Sequence, residues 1–303
     1  MNNQEKNFNI KTYGREDLQR ALEYWTPERI ANTKPISPRK ITHEELKHYN
    51  KNQVEKLYEK KKIISDNSYD STSLGEPYEV DVNIYPYNAA GKFIFKNSDG
   101  KGYHGTAQFV GHCQMLLTAA HLIKNPKTGE EYTDFAFARA YRNVDGNEEQ
   151  QLFLIDRVGA GEGTEGSAKS DFGFCRTIES FHLRPLALKI GEPCPKDHPM
   201  HAIGYPGDRN MVAVDGKRGD LLEHTFKMTD NTLGKGASGG AYMVDLEIQG
   251  RMWRNLVVGL NSGSPVSDDT IGVSPLFDQS TLNLFNEVLD ASGENPRRCN
   301  TIY

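Results

Sequence analysis

The pattern of apolar and polar positions changes character near residue 75. Upstream, apolar residues recur every three or four positions. Leu18, Ala21 and Leu22 fall on one side of residues 15–24, which predicts a short amphipathic helix. Trp25-Thr26-Pro27 ends it, because a proline disfavours helical geometry at the residue before it. Residues 33–41 carry Pro35 and Pro38 and predict an extended connector. Thr42, with Glu45 three residues later, forms a capping box that opens a second helix. Its apolar stripe is Leu46, Tyr49, Val54, Leu57 and Tyr58. Residues 64–79, with Ser, Asp, Asn and Gly, read as a linker.

From residue 80 short apolar runs recur, separated by Gly, Asn, Asp and Pro. They lie at 92–95, 106–110, 115–120, 135–140, 152–158, 172–175, 200–205, 211–214, 241–244 and 256–261. Many are rich in Val, Ile, Phe and Tyr, which suit a pleated and half-buried surface. Regular spacing of short strands predicts an all-β sandwich or barrel. One helix closes the chain at 281–289, with Leu282, Phe285, Val288 and Leu289 apolar. No internal repeat is visible.

Composition narrows the classes. The chain has 303 residues and is 37% hydrophobic, polar for a globular protein but sufficient for a sizeable core. No window approaches 18 consecutive apolar residues, so no membrane span is expected. The first residues hold no apolar signal-peptide core. The net charge of −5 divides into +3 over residues 1–75 and −8 over the remainder. A mildly acidic main body argues against nucleic-acid binding, whose footprint is a clustered basic face. Lys60-Lys61-Lys62 is short and reads as solvated surface. The cysteines at 113, 175, 194 and 299 lack the paired spacing of a zinc site. Cys113 and Cys175 lie in apolar runs, so all four are expected as buried free thiols. Neither metal nor cofactor is expected, and the chain is expected to be a monomer.

Three stretches carry chemistry. Leu116-Leu117-Thr118-Ala119-Ala120-His121 delivers a histidine from a strand past two small residues. Ser170-Asp171-Phe172-Gly173-Phe174 places an acid before an apolar strand. Gly234-Lys235-Gly236-Ala237-Ser238-Gly239-Gly240 puts a serine in a glycine-rich turn whose backbone can approach a ligand closely. Each is ambiguous alone. Together they follow the order His, Asp, Ser on an all-β chain, which is the chymotrypsin-type triad order. The α/β-hydrolase order differs and needs βαβ units that this pattern lacks. The gaps of 50 and 67 residues suit two six-stranded barrels with the triad between them. Asp134, in Thr133-Asp134-Phe135-Ala136-Phe137, is a rival acid, but it lies only 13 residues after His121 and suits the start of the next strand. His104, His112 and His201 lack the small-residue context of His121 and are read as ordinary histidines.

On these residues the chain resembles the trypsin-like serine endopeptidases, nearest the bacterial glutamyl-endopeptidase branch, over about residues 80–290. Leu117 to His121 matches the histidine motif, Asp171 to Phe174 the aspartate motif, and Gly236 to Gly240 the nucleophile motif. Gly204-Tyr205-Pro206-Gly207-Asp208 resembles a stretch typical of that branch. Val258-Gly259-Leu260-Asn261-Ser262-Gly263 resembles the strand that walls the specificity pocket. Tyr24-Trp25-Thr26-Pro27-Glu28-Arg29 resembles a motif in prosegments of secreted relatives.

The resemblance implies two antiparallel six-stranded β-barrels, roughly 80–180 and 181–290, within a protease domain at 80–303. Residues 1–79 would be a helical and linker extension that is a prosegment, a docking arm or part of the folded body, and its amphipathic helices are expected to cover the protease domain and restrain it. Ser238, His121 and Asp171 would be catalytic, with the N–H groups of Gly236 and Ser238 as oxyanion hole. Thr232, Leu233, Asn261, Ser262 and Gly263 would form the specificity pocket. The substrate would be a protein or peptide. Two departures stand out. Ala237 occupies the position where trypsin-like zymogens carry an aspartate that captures a new N-terminus, so that switch is not expected. Asn261 occupies the position of a histidine in the glutamyl branch, which puts strict Glu preference in doubt; with no acid at the pocket base, Arg or Lys preference is not expected either. Competing readings are an inactive binding protein on the same fold and an esterase or acyl transferase using the same triad. Relatives are exported, whereas the chain shows no signal peptide, so an intracellular place or another export route stays open.

Overall fold

The computed structural model describes residues 8–46, 74–144, 147–161, 167–290 and 302. Near the N-terminus come β1 (Ile10–Thr12), α1 (Arg15–Tyr24), α2 (Pro27–Ala31), β2 (Lys34–Pro35), β3 (Arg39–Ile41) and α3 (His43–Leu46). α1 spans the helix that the periodicity predicts, but it seats Ala21 in the core and leaves Leu22 half exposed. α2 is unforeseen. Thr26 caps it by accepting from the Arg29 N–H at 3.3 Å, and Pro27 starts it with φ already near helical. The proline that ends one helix thus begins the next. The Thr42 capping box forms, with Thr42 N–H donating to Glu45 Oε2 at 2.8 Å and Glu45 N–H to Thr42 Oγ1 at 3.4 Å. The stripe beyond Leu46 lies outside the described residues. The expected linker contributes β4 (Tyr78–Glu79).

The strands β5 (Ala90–Lys96), β6 (Gly102–Phe109), β7 (Met115–Thr118), β8 (Thr133–Val144), β9 (Asn147–Ala160) and β10 (Gly173–Thr177) form a closed antiparallel barrel. Its order is β5-β6-β7-β10-β9-β8 and back to β5. Aromatic side chains fill it: Phe109 lies edge-on to Phe137 and Phe153, and stacks on Phe181 at 4.6 Å. Burying each ring contributes about 1.5–3 kcal/mol.

The second half is a sheet of β11 (Pro199–Gly204), β12 (Val212–Leu221), β13 (Thr225–Thr229), β14 (Ala241–Ile248), β15 (Arg251–Leu260), β16 (Gly263–Pro265) and β17 (Gly272–Pro275), ordered β15-β14-β11-β12-β13-β17-β16. β13 and β17 carry no apolar run long enough to stand out in the sequence. At the seam between β15 and β17, the Leu260 N–H donates to Ser274 Oγ at 2.9 Å in place of a ladder. Met200, Val214, Phe226, Tyr242 and Val258 form its core. The C-terminal helix (Gln279–Leu289), capped by Asp278, packs Leu284, Phe285 and Val288 inward; Phe285 meets Phe174 of β10 edge-on. Among the described residues, no helix is long and apolar enough to cross a membrane.

Residues upstream of 80 add strands to both halves. β1 pairs antiparallel with β9, β2 parallel with β6, β3 parallel with β16, and β4 antiparallel with β12. Trp25 is buried and its indole N–H donates to the Asp134 carbonyl at 2.5 Å. Asp134, with φ of 51°, turns its buried carboxylate toward Arg20 at 2.8 Å and Lys96 at 2.7 Å. One residue of the barrel therefore holds α1 by backbone and side chain together. Thr33 Oγ1 lies 2.9 Å from Nδ1 of the buried His104 on β6.

The cysteines divide. Cys175 and Cys194 are buried free thiols, as expected. Cys113 is instead disulfide-bonded, which corrects the expectation of four free thiols. An apolar run hides a cysteine equally well whether it is reduced or bridged, so the run is no guide. Cys299 lies outside the described residues.

Two outcomes test this packing. Trp25→Ala should cost about 3–5 kcal/mol in urea unfolding, and a loss below 1 kcal/mol would mean that the N-terminal segment is not built into the core. Burial, followed by the charge of Lys92, pushes His104 down to about 4, from 6.5. The unfolded chain therefore takes up a proton that the folded chain refuses. Stability from this group is complete above 6.5 and is lost as pH falls toward 4, by about 3 kcal/mol. His104→Gln should flatten that acid limb of the stability profile; an unchanged limb contradicts a buried neutral imidazole.

Candidate active site

The register of β7 against β10 pairs Thr118 with Gly173, and this pairing brings the residues just beyond each end together. Past Thr118 the chain makes a single tight turn, Ala120–Leu122, with His121 in its middle. Ahead of Gly173, the turn Ala168–Ser170 delivers Asp171. His121 and Asp171 are both 4% exposed. Imidazole Nδ1 lies 2.8 Å from Asp171 Oδ2 and 3.1 Å from Oδ1, while the His121 backbone N–H donates to Oδ1 at 2.9 Å. Ser262, at the end of the β15 segment, donates its hydroxyl to Oδ2 at 2.5 Å.

Burial pushes the Asp171 carboxyl upward. The His121 imidazole, the Ser262 hydroxyl and the nearby Arg39 charge outweigh it and hold the group below the ordinary carboxylate range. An ionised Asp171 accepts from Nδ1–H, which leaves Nε2 bare to accept a proton.

Ser238 enters from the loop before β14. Gly236 makes that loop possible: its φ is +93°, and a Cβ there would stand 2.3 Å from the Tyr205 carbonyl oxygen. The loop is tied across to the first barrel through Thr106 and Gln108. Thr106 N–H donates to the Ser238 carbonyl at 2.8 Å and its hydroxyl to the Gly236 carbonyl at 2.9 Å. Gln108 Nε2 donates to the Gly239 carbonyl at 3.0 Å. The Gly204-to-Asp208 stretch supports it from beneath: Ala237 packs on Gly204, and the Gly207 N–H donates to the Lys235 carbonyl at 2.7 Å. Ser238 Oγ and His121 Nε2 are both buried and make no hydrogen bond among the described residues.

A small pocket opens beside Ser238. Asn231, Leu233, Asn261, Gly263, Ser264 and Gly272 are among its lining residues. Leu233, Asn261 and Gly263, three of the residues expected at a specificity pocket, line this one. Thr232 does not line it; it is exposed and donates its hydroxyl to the Gly75 carbonyl at 2.7 Å. Ser262 turns instead to Asp171. The Asn261 amide is committed to the framework, donating to the Ile203 carbonyl at 3.1 Å and accepting from Asn231 at 2.9 Å.

The remaining candidates fall elsewhere. Asp134 faces Arg20 and Lys96, not His121. His201 pairs with Asp215 at 2.7 Å and with the Tyr87 hydroxyl at 3.1 Å. His112 Nδ1 accepts from the Gln114 N–H at 3.2 Å. Among the described residues, no group of three or more His, Cys, Asp or Glu side chains could hold a metal ion. The sequence reading missed Ser262 as a partner of Asp171, and also Thr106 and Gln108. Polar residues on otherwise apolar strands are the one signal that marks the last two.

No protein-family model matches the chain, and no curated relative does. Solved structures do. A thermostable serine protease, AL20, from an extremophilic microorganism superposes with a TM-score of 0.55 at 17% identity, covering 67% of this chain and 98% of that one. The protease Anisep from Arthrobacter nicotinovorans gives 0.55 at 16% identity, covering 71% and 100%. A Glu endopeptidase solved with MPD gives 0.53 at 16% identity, covering 70% and 95%. The chain therefore has the chymotrypsin-like serine-protease fold.

Proposed function

We propose that the chain is a serine endopeptidase with Ser238 as nucleophile, His121 as general base and acid, and Asp171 as the group that orients and stabilises the imidazole. The observation that carries this reading is the buried Asp171–His121 pair, which leaves Nε2, like the Ser238 hydroxyl, without a hydrogen-bond partner among the described residues. A serine hydroxyl is a weak nucleophile near neutral pH and needs such a base.

In the proposed reaction Ser238 Oγ bonds to the scissile carbonyl carbon as its proton passes to His121 Nε2. The carbonyl oxygen becomes an oxyanion held by the N–H groups of Gly236 and Ser238, each worth roughly 3–4 kcal/mol of barrier. Collapse breaks the C–N bond, and His121 returns the proton to the leaving amine. Water then attacks the acyl-enzyme by the same route and frees the acid. Asp171 stays ionised throughout, as its depressed carboxyl suits. Ser262, through its bond to Oδ2, is a positioning residue. The site needs no metal or cofactor for these steps. The pocket beside Ser238 is lined by Leu233, by the engaged amides of Asn231 and Asn261, and by Asp269, which pairs with Lys40; a polar or medium-sized apolar side chain is the proposed occupant.

A fluorophosphonate probe should label the chain at Ser238, and casein should be cleaved by the wild type but not by Ser238→Ala. Absence of labelling would favour a binding protein, and labelling without peptide cleavage would favour an esterase. Asp171→Asn should lower kcat on the order of 10⁴-fold. Asp134→Asn should lose stability while keeping the labelling rate; the reverse outcome would make Asp134 the acid.

A further inference from the structure

The Gly236 N–H, the oxyanion donor of the reading above, is already engaged. It donates to the backbone carbonyl of Ile36 at 2.8 Å. Ile36 is held in turn by its own N–H, which donates to the His104 carbonyl at 2.9 Å. On one side, Lys34 and Pro35 pair with Tyr103 and His104 of β6. On the other, Pro38 lines the pocket beside Ser238, and Arg39 to Ile41 pair with Gly263 to Pro265 of β16. Residues 35–40 also wall the cleft that His121 faces.

Chain direction gives this its meaning. On the reading above, a cleavable peptide would put the residue that supplies the carbonyl, with its side chain, at the pocket, run its upstream residues along β16 in the antiparallel sense, and hold its leaving amine toward His121. The segment here runs the other way. Residues following the Ile36 carbonyl pass over the pocket, residues preceding it run to the first barrel, and β3 is parallel to β16. The Ser37 nitrogen, the leaving atom of that bond, thus belongs to the pocket-side half of the segment and not to the half toward the first barrel.

From this polarity we infer that residues 34–41 are an autoinhibitory strap, occupying the oxyanion hole, the pocket mouth and the β16 edge in reverse, so that the site is blocked without cutting the blocker. The inference rests on the reading of Ser238, His121 and Gly236 given above. Several contacts fasten the strap: the Val266 N–H donates to the Ile41 carbonyl at 3.1 Å, Arg39 pairs with Glu45 at 3.0 Å, and Lys40 reaches Asp269 and, at 3.2 Å, Ser264 Oγ. Pro35 and Pro38 stiffen it, which lowers the entropy lost on docking.

The test reads binding separately from catalysis. Fluorescein-labelled casein is titrated against Ser238→Ala by anisotropy, with the native strap and with R39E/K40E added to loosen it. The account expects about ten-fold tighter binding with R39E/K40E, from two lost ion pairs and new repulsion at Asp269 and Glu45. Equal affinity overturns the strap. Should the double change fail to fold, Lys40→Glu, at an exposed position, decides instead, with about three-fold tighter binding expected and no change overturning it. In parallel, fluorophosphonate labelling of a Lys40→Glu chain that keeps Ser238 and Arg39 should speed up about three-fold. If no form labels, the nucleophile reading falls while casein binding still decides the strap. Mass spectrometry of the incubated full chain should find the Ile36–Ser37 bond intact; self-cleavage there contradicts the reversed polarity.

Discussion

A single buried carboxylate organises the cleft. Asp171 accepts from the His121 backbone and imidazole on the first barrel and from the Ser262 hydroxyl on the second. Removing a carboxylate from water is costly unless donors replace the solvent. Here three donors do so, and they come from both halves of the molecule. The requirement to satisfy one ion therefore fixes where the histidine turn sits and where the end of β15 approaches it. The imidazole tautomer that the proposed chemistry needs follows from the same bonds.

The loop that carries Ser238 is held by a second set of cross-barrel contacts. Thr106 and Gln108, on the first barrel, receive the backbone of Gly236, Ser238 and Gly239. Buried polar groups are expensive unless they find partners. The Thr106 hydroxyl and the Gln108 amide N–H find theirs in a loop that has little secondary structure of its own. The N-terminal segment uses the same economy at a larger scale. Asp134, in a left-handed backbone conformation, satisfies Trp25, Arg20 and Lys96 at once, so the segment that ends at the Gly236 N–H is anchored far from it.

Much of this was legible in the sequence, for identifiable reasons. Short apolar runs between turn residues mark most strands, and the ends of β7 and β10 carry His121 and Asp171 in recognisable settings. β13 and β17 were not legible, since their burial comes from a neighbouring strand and not from an apolar run. Asp134 and Asp171 both stand as an acid at the head of a strand; the short spacing from His121 already sets Asp134 aside, and the pairing of β7 with β10 puts Asp171 beside the histidine. The family resemblance implies Thr232 and Ser262 at the pocket, and side-chain direction divides them, one toward Gly75 and the other toward Asp171. The path of residues 34–41 could not be read at all. Two prolines signal an extended chain, but nothing local specifies which edge it pairs with or in which direction.

A crystal structure of the chain after reaction with diisopropyl fluorophosphate puts this arrangement to the test. Phosphorus should be bonded to Ser238 Oγ, with a phosphoryl oxygen about 3 Å from the Gly236 N–H, in the place that the Ile36 carbonyl otherwise takes, and with the Asp171–His121 pair unchanged. An adduct on another residue, or an unmodified Ser238 with His121 turned away from Asp171, would contradict it.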